Sequence, residues 1–185
     1  TQTIKAYNVS IDVIKKVVRN LDTDKIKLPG LLFVDTPGHA SFSNLRKRGG
    51  SLADIAVLIV DINDGLKPQT IESIEILKES KTPFIISLNK LDLFPGWSGD
   101  SKKSFAENLN MQNENVKAKL DQRIYELVGE FYNYGFTMER FDRVDDFTKV
   151  IAGVPMSAKT GEGVSELLMV LTGLAQKFLE KKLEI

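Results

Sequence analysis

Four short stretches of the chain are apolar at nearly every position and end on a polar side chain. Residues 31–34 run into Asp35, 55–60 into Asp61, 84–88 into Asn89 and 150–156 into Ser157. Unbroken rather than alternating apolar character predicts strands buried on both faces, as in a parallel sheet. Between these runs the period lengthens. Residues 68–80 carry Ile71, Ile74, Ile76 and Leu77, with Pro68 suited to a first helical turn. Residues 164–182 carry Leu167, Leu168, Leu171, Leu174, Ala175 and Phe178 at helical spacing. A third amphipathic helix is predicted over 113–134, on Val116, Leu120, Ile124, Leu127, Val128 and Phe131. Residues 3–9 predict an edge strand and 10–21 a short helix. The stretch 93–146 is longer than a plain strand-to-strand connection and opens on a Pro95-Gly96-Trp97-Ser98-Gly99 loop. Strand–helix alternation predicts an α/β fold with a doubly wound, mostly parallel sheet, in which ligands bind beyond the carboxyl ends of the strands.

Composition narrows the function classes. At 185 residues the chain is one domain by the usual prior, able to bury a sizeable core. Lys+Arg and Asp+Glu are 25 each, so no overall field drives it onto nucleic acid and any RNA contact must be local. Cysteine is absent, which excludes disulfides, thiolate metal sites and cysteine nucleophiles and fits a reducing cytoplasm. The longest strongly apolar run, 55–60, is too short to cross a bilayer, and the first ten residues lack a signal-peptide pattern, so no membrane partner is expected. The chain starts at Thr1 rather than Met and is expected to be a piece of something longer.

The polar tips carry the candidate chemistry. Asp35-Thr36-Pro37-Gly38 alone is compatible with a strand end and a Pro-Gly turn. Read functionally, Asp35 is a carboxylate that can hold Mg²⁺ through water, and the Gly38 amide can approach a γ-phosphate with no side chain in the way. His39 is the chain's single histidine, placed to orient an attacking water; phosphoanhydride hydrolysis is mainly positioning and charge stabilisation. Asn89-Lys90-Leu91-Asp92 reads as a guanine clamp. A carboxylate at Asp92 accepting both N–H groups of guanine's Watson–Crick edge selects guanine over adenine. The Lys90 stem would cover the base with its ammonium left free, and Asn89 would tie neighbouring loops. Ser157-Ala158-Lys159, before Thr160-Gly161-Glu162-Gly163, offers a backbone N–H to guanine O6 with Lys159 against the base. Arg46-Lys47-Arg48 is either a solvated face or a partner surface. The chain has no Gly-Lys dipeptide, so a Gly-x-x-x-x-Gly-Lys-Ser/Thr phosphate loop does not occur.

With these residues in hand, the chain resembles the G domain of the translation initiation factor 5B family, whose bacterial relative is initiation factor 2. The resemblance rests on Asp35 to His39, residues 42–50, Asp61 to Thr70 with Lys67-Pro68-Gln69-Thr70, Gly96-Trp97, Phe141-Asp142-Arg143 and Ser157 to Gly163, and it covers essentially the whole chain. It implies a P-loop-GTPase-type fold, GTP/GDP and Mg²⁺ as ligands, and a factor that joins ribosomal subunits and hydrolyses GTP on the ribosome. The implied partners are the ribosome (large subunit and its RNA), other initiation factors, and initiator tRNA through domains absent here. It implies roles for Asp35 (magnesium side), Gly38 (γ-phosphate), His39 (catalytic water), Asn89, Lys90 and Asp92 (base clamp) and Ser157, Ala158 and Lys159 (closing loop). Thr1 resembles the end of the first switch, whose threonine reaches Mg²⁺.

Two departures from the family stand out. Leu93 replaces a more usual basic residue after the clamp. Family members also place a strand and the phosphate loop ahead of the position of Thr1. Without them, exposed apolar faces and unpaired backbone are expected on the neighbouring strands. Three charge-assisted phosphate bonds at about 1.5–3 kcal/mol each amount to roughly 4–9 kcal/mol. The 185 residues alone are therefore expected to bind GTP poorly and to hydrolyse it negligibly. Against the enzyme reading stand a non-catalytic G-like docking module and the G domain of another translational GTPase.

Overall fold

The computed structural model describes residues 5–19, 21–36 and 54–183. Thr1, Gly38, His39 and the Arg46-Lys47-Arg48 run lie outside the described residues. The strands are β1 (Lys5–Ser10), β2 (Gly30–Asp35), β3 (Ala56–Asp61), β4 (Phe84–Asn89), β5 (Met138–Arg140) and β6 (Ile151–Pro155). The α-helices are α1 (Ile11–Val17), α2 (Pro68–Ser80), α3 (Phe105–Met111), α4 (Glu114–Asn133) and α5 (Val164–Leu183).

Most helices begin where the sequence supplies a start signal. Pro68 opens α2, and Lys81 closes it in the left-handed region at φ 52°. Ser104 and Glu107 form a reciprocal capping box at the head of α3. The Asn113 side chain accepts the Val116 N–H at the head of α4, whose Val116, Leu120, Ile124, Leu127 and Phe131 are buried. Periodicity thus locates α2, α4 and α5 to within a residue or two. It does not reveal α3 or the three-residue β5, which are too short for a period to register.

β3, β4, β6 and β5 form a parallel sheet in that order. Its inner strand β4 is buried from Phe84 through Leu88, as an unbroken apolar run requires. The core gathers around it, with Leu58, Val60 and Val154 from neighbouring strands, Ile74 and Leu77 from α2, Leu120 and Leu127 from α4, and Leu171 and Leu174 from α5.

The run at 31–34 departs from expectation. β2 pairs antiparallel with β1 in a separate two-stranded sheet. Leu31 and Phe33 face the core, but Leu32 is 67% exposed and Val34 38% exposed. Its side chains therefore divide between two faces, one packed and one open, as the two-residue period of a strand dictates. On β3, Ile59 is 64% exposed, so β3 too departs from two-sided burial.

Candidate functional site

Register brings the polar tips of the parallel sheet into one row. Asp61 of β3 lies opposite Asn89 of β4, and Leu88 lies opposite Pro155 of β6. Beyond the strands, each chain continues onto its neighbour's tip. The Ile62 N–H donates to the Asn89 carbonyl at 3.0 Å, and the Leu91 N–H donates to the Met156 carbonyl at 3.0 Å. The loops after β3, β4 and β6 are thereby tied edge to edge.

The Asn89-Lys90-Leu91-Asp92 segment turns sharply. Lys90 sits in the left-handed region at φ 66°, ψ 34°, and Leu91–Leu93 form a single 3₁₀ turn with Leu91 buried and Asp92 half-buried. Asn89 Oδ1 accepts the Ala158 N–H at 2.9 Å. One side chain therefore joins the Asn-Lys-x-Asp loop to the Ser157-Ala158-Lys159 loop, 69 residues away in sequence.

Lys90 corrects an expectation. Its ammonium is not free: Nζ lies 2.7 Å from Asp61 Oδ2. The reason is register, because Asp61 faces the residue immediately before Lys90 across the sheet. Burial pushes the Asp61 carboxyl up, but hydrogen bonds from Lys90 and from the Asn63 and Asp64 amides outweigh it and hold the group below its ordinary value. The hydrogen bond to Asp61 raises Lys90 in turn. The Asn63 side-chain amide donates to the Lys90 carbonyl at 3.2 Å, holding the same turn from its other side.

The Ser157–Gly163 loop folds back on itself. The Ser157 N–H donates to the Glu162 carbonyl at 2.8 Å, the Gly161 N–H to the Ser157 carbonyl at 2.9 Å, and the Thr160 N–H to Ser157 Oγ at 3.2 Å. Gly161 and Gly163 adopt φ of 86° and 78°, and a Cβ on Gly163 would collide with the Pro155 carbonyl oxygen. Ser157 is buried, while Ala158 and Lys159 are exposed at the loop's crest.

Asp35 ends β2 with its side chain exposed, opposite Lys5 of β1. Thus the structure joins Asn89, Lys90 and Asp92 to Ser157, Ala158 and Lys159, and sets Asp35 on the other sheet. Among the described residues no three acidic or imidazole groups gather as an ion cage. A single carboxylate at Asp35 still suits magnesium, which is usually held by one or two carboxylates together with phosphate oxygens and water. Sequence reasoning missed the parts played by Asp61 and Asn63. A polar residue closing the 55–60 run was the available signal for Asp61; nothing local marked Asn63.

Comparison with known proteins fixes the class. Residues 1–177 match the family model described as the elongation factor Tu GTP binding domain, and the chain belongs to that family. It is 51% identical over 185 residues to a protein described as "Probable translation initiation factor IF-2" in Archaeoglobus fulgidus, covering 100% of this chain and 31% of that protein. It is 54% identical over 184 residues to the protein of the same description in Thermoplasma volcanium, again covering 100% of this chain and 31% of the relative. Among solved structures, the GDP-bound aIF5B of Aeropyrum pernix superposes with a TM-score of 0.88 at 50% identity, covering 98% of this chain and 31% of that one. The fold is accordingly that of a P-loop GTPase domain with a mostly parallel sheet, and the chain spans about a third of the length of these relatives.

Proposed function

We propose that this chain is the GTP-binding domain of a translation initiation factor that promotes ribosomal subunit joining and hydrolyses GTP to GDP and phosphate on the ribosome. The observation that carries the reading is the Asn89–Ala158 hydrogen bond, which unites two separate guanine-type loops at the carboxyl tips of neighbouring parallel strands. The descriptions of the archaeal relatives and the GDP bound to the Aeropyrum pernix protein support it.

In this reading Asp92 accepts the two N–H groups of guanine, a backbone N–H of the Ser157–Lys159 loop meets O6, and Lys90 and Lys159 flank the base. Asp61 engages the Lys90 ammonium, which leaves the aliphatic stem to meet the ring. Asp35 and Thr1 are the residues proposed to hold Mg²⁺, which when bound screens phosphate charge. Gly38 donates to the γ-phosphate and His39 orients the water that attacks it. The proposed setting is the cytoplasm, and the proposed partners are the ribosome (large subunit and its RNA), initiator tRNA and other initiation factors. Among the described residues no helix is long and apolar enough to cross a membrane.

The test is Asp92→Asn in the full-length protein. Loss of the double acceptor is expected to weaken GDP binding by about a hundredfold or more, while xanthosine diphosphate, whose C2 oxygen can accept from the new amide, binds better than GDP. Unchanged GDP affinity rejects the proposed clamp. For hydrolysis, His39→Ala is expected to spare GTP binding and slow ribosome-stimulated turnover; equal turnover removes His39 from the mechanism.

A further inference from the structure

Glu162 is a carboxylate where the fold has little evident need of one. It is 3% exposed, and both its oxygens share one neutral donor, the Trp97 indole N–H, at 3.0 and 3.2 Å. Trp97 is itself buried and is the only tryptophan in the chain. Burial pushes the Glu162 carboxyl up, the indole bond pulls it down, and the nearby carboxylates of Asp92, Glu166 and Asp100 push it further up. A residue chosen only for packing would carry no such cost. What a hydrogen-bonded carboxylate adds over a methyl is direction.

The two ends of this bond reach the two base-facing loops. On one side, the Glu162 carbonyl accepts the Ser157 N–H at 2.8 Å, so Glu162 closes the loop that carries Ala158 and Lys159. On the other, Trp97 follows the Asp92 turn through a short relay: its backbone N–H donates to the Phe94 carbonyl at 3.0 Å, and the Phe94 backbone N–H donates to the Leu91 carbonyl at 2.9 Å. The Trp97 loop is anchored as well. Its ring stacks on Phe105, with centroids 6.2 Å apart and planes at 12°. Gln112 brackets Ser98 with bonds of 3.0 and 2.7 Å, and Asn108 brackets Asp100 with two bonds of 2.9 Å. Gly99 lies so close that a Cβ there would collide with the Glu162 carboxylate. The indole is thus a fixed post, and the carboxylate is a strut from that post to the closing loop.

We propose that Trp97 and Glu162 are positioning residues for the guanine nucleotide: their bond fixes the Ser157–Lys159 loop relative to Asp92 and so sets how tightly and how selectively the base is held. The proposal rests on the guanine-nucleotide reading of this site, and it adds a tie between these loops 65 residues apart in sequence, beside that of Asn89.

The experiment measures release of GDP and of inosine diphosphate, which lacks the 2-amino group that Asp92 would recognise, from the full-length protein and three variants. Glu162→Ala removes the strut. Trp97→Phe keeps an aromatic ring against Phe105 but removes the N–H. Glu162→Gln keeps an oxygen that accepts from the indole. Expected are about tenfold faster GDP release in Glu162→Ala and Trp97→Phe, a narrowed ratio between the two nucleotides, and recovery to within about threefold of wild type in Glu162→Gln. Should Glu162→Ala fail to fold, Trp97→Phe against Glu162→Gln carries the test. Wild-type release and selectivity in Trp97→Phe overturn the strut while leaving the guanine reading intact. Failure of the wild-type protein to retain GDP in preference to adenosine diphosphate overturns the guanine reading, and the strut with it.

Discussion

β4 and β2 end in the two motifs that define the proposed site, yet the strands are held in different ways. β4 is flanked by β3 and β6 and buried from Phe84 to Leu88. Its tip is bonded through the Asn89 carbonyl to Ile62 and through the Asn89 side chain to Ala158. Among the described residues β2 pairs with β1 alone, and Leu32 and Val34 face outward. Hydrogen bonds from neighbouring segments attach this smaller unit to the body, Arg19 N–H to Ser165 Oγ at 3.0 Å and Lys27 N–H to the Gln176 side chain at 2.9 Å, both on α5. The proposed guanine side of the site is therefore built into the core. The proposed magnesium carboxylate stands on a thin, two-stranded platform.

Truncating one leucine in each sheet should show the largest difference between them. Leu88→Ala, at a fully buried position of β4, is expected to cost about 2–5 kcal/mol in denaturant unfolding. Leu32→Ala, at a position 67% exposed, is expected to cost about 0.5 kcal/mol or less. Equal losses would mean that Leu32 is covered in the protein as assayed, and the contrast between the sheets would fall.

Next comes Gly163→Ala, which places a side chain at φ 78° against the Pro155 carbonyl. A loss of about 1–3 kcal/mol is expected in the same assay, and none would show that this loop is looser than its bonds indicate. Asn89→Ala removes the acceptor of the Ala158 N–H and is expected to cost about 1 kcal/mol and to speed GDP release. Unchanged release would separate the loop tie from nucleotide retention.

The smallest effects are those of pH. Asp61 is depressed in the folded state, so its contribution is present above the unfolded carboxylate range and is lost as pH falls through the lowered value. Asp61→Asn should therefore differ from wild type in thermal unfolding near neutrality and converge with it in acid. Lys90 is raised, so its contribution persists until pH climbs through that raised value. Glu162 has the opposite sign to Asp61: its raised value favours the fold in acid and costs stability as pH rises beyond the ordinary glutamate range. Glu162→Gln should remove that decline, so its stability relative to wild type should improve as pH rises through and beyond the ordinary glutamate range. A constant difference across that range would remove the assigned electrostatics.

The long elements were legible because each carries its own signal. The run at 84–88 suits an enclosed strand, and the periods under α2, α4 and α5 repeat often enough to be read. Capping residues Ser104 and Asn113 are local as well, yet α3 escaped because its seven residues offer one apolar face of barely two turns. The motifs Asn89-Lys90-Leu91-Asp92 and Ser157-Ala158-Lys159 were visible as text, since their chemistry follows from residue type and order.

What the text could not hold is which side chains meet. Sequence alone leaves the Lys90 ammonium free, and the structure pairs it with Asp61, because that pairing depends on strand register. The apolar run at 31–34 predicts burial on both faces, and the structure gives it an open face, because burial depends on what lies alongside. The bond between Trp97 and Glu162 spans 65 residues with no periodic or compositional trace. Local propensity, pattern and side-chain chemistry were enough for the long elements, three strands of the parallel sheet and the identity of the candidate groups. Tertiary structure alone decided the partners, because hydrogen bonds and ion pairs act over about 3 Å in space whatever their separation along the chain.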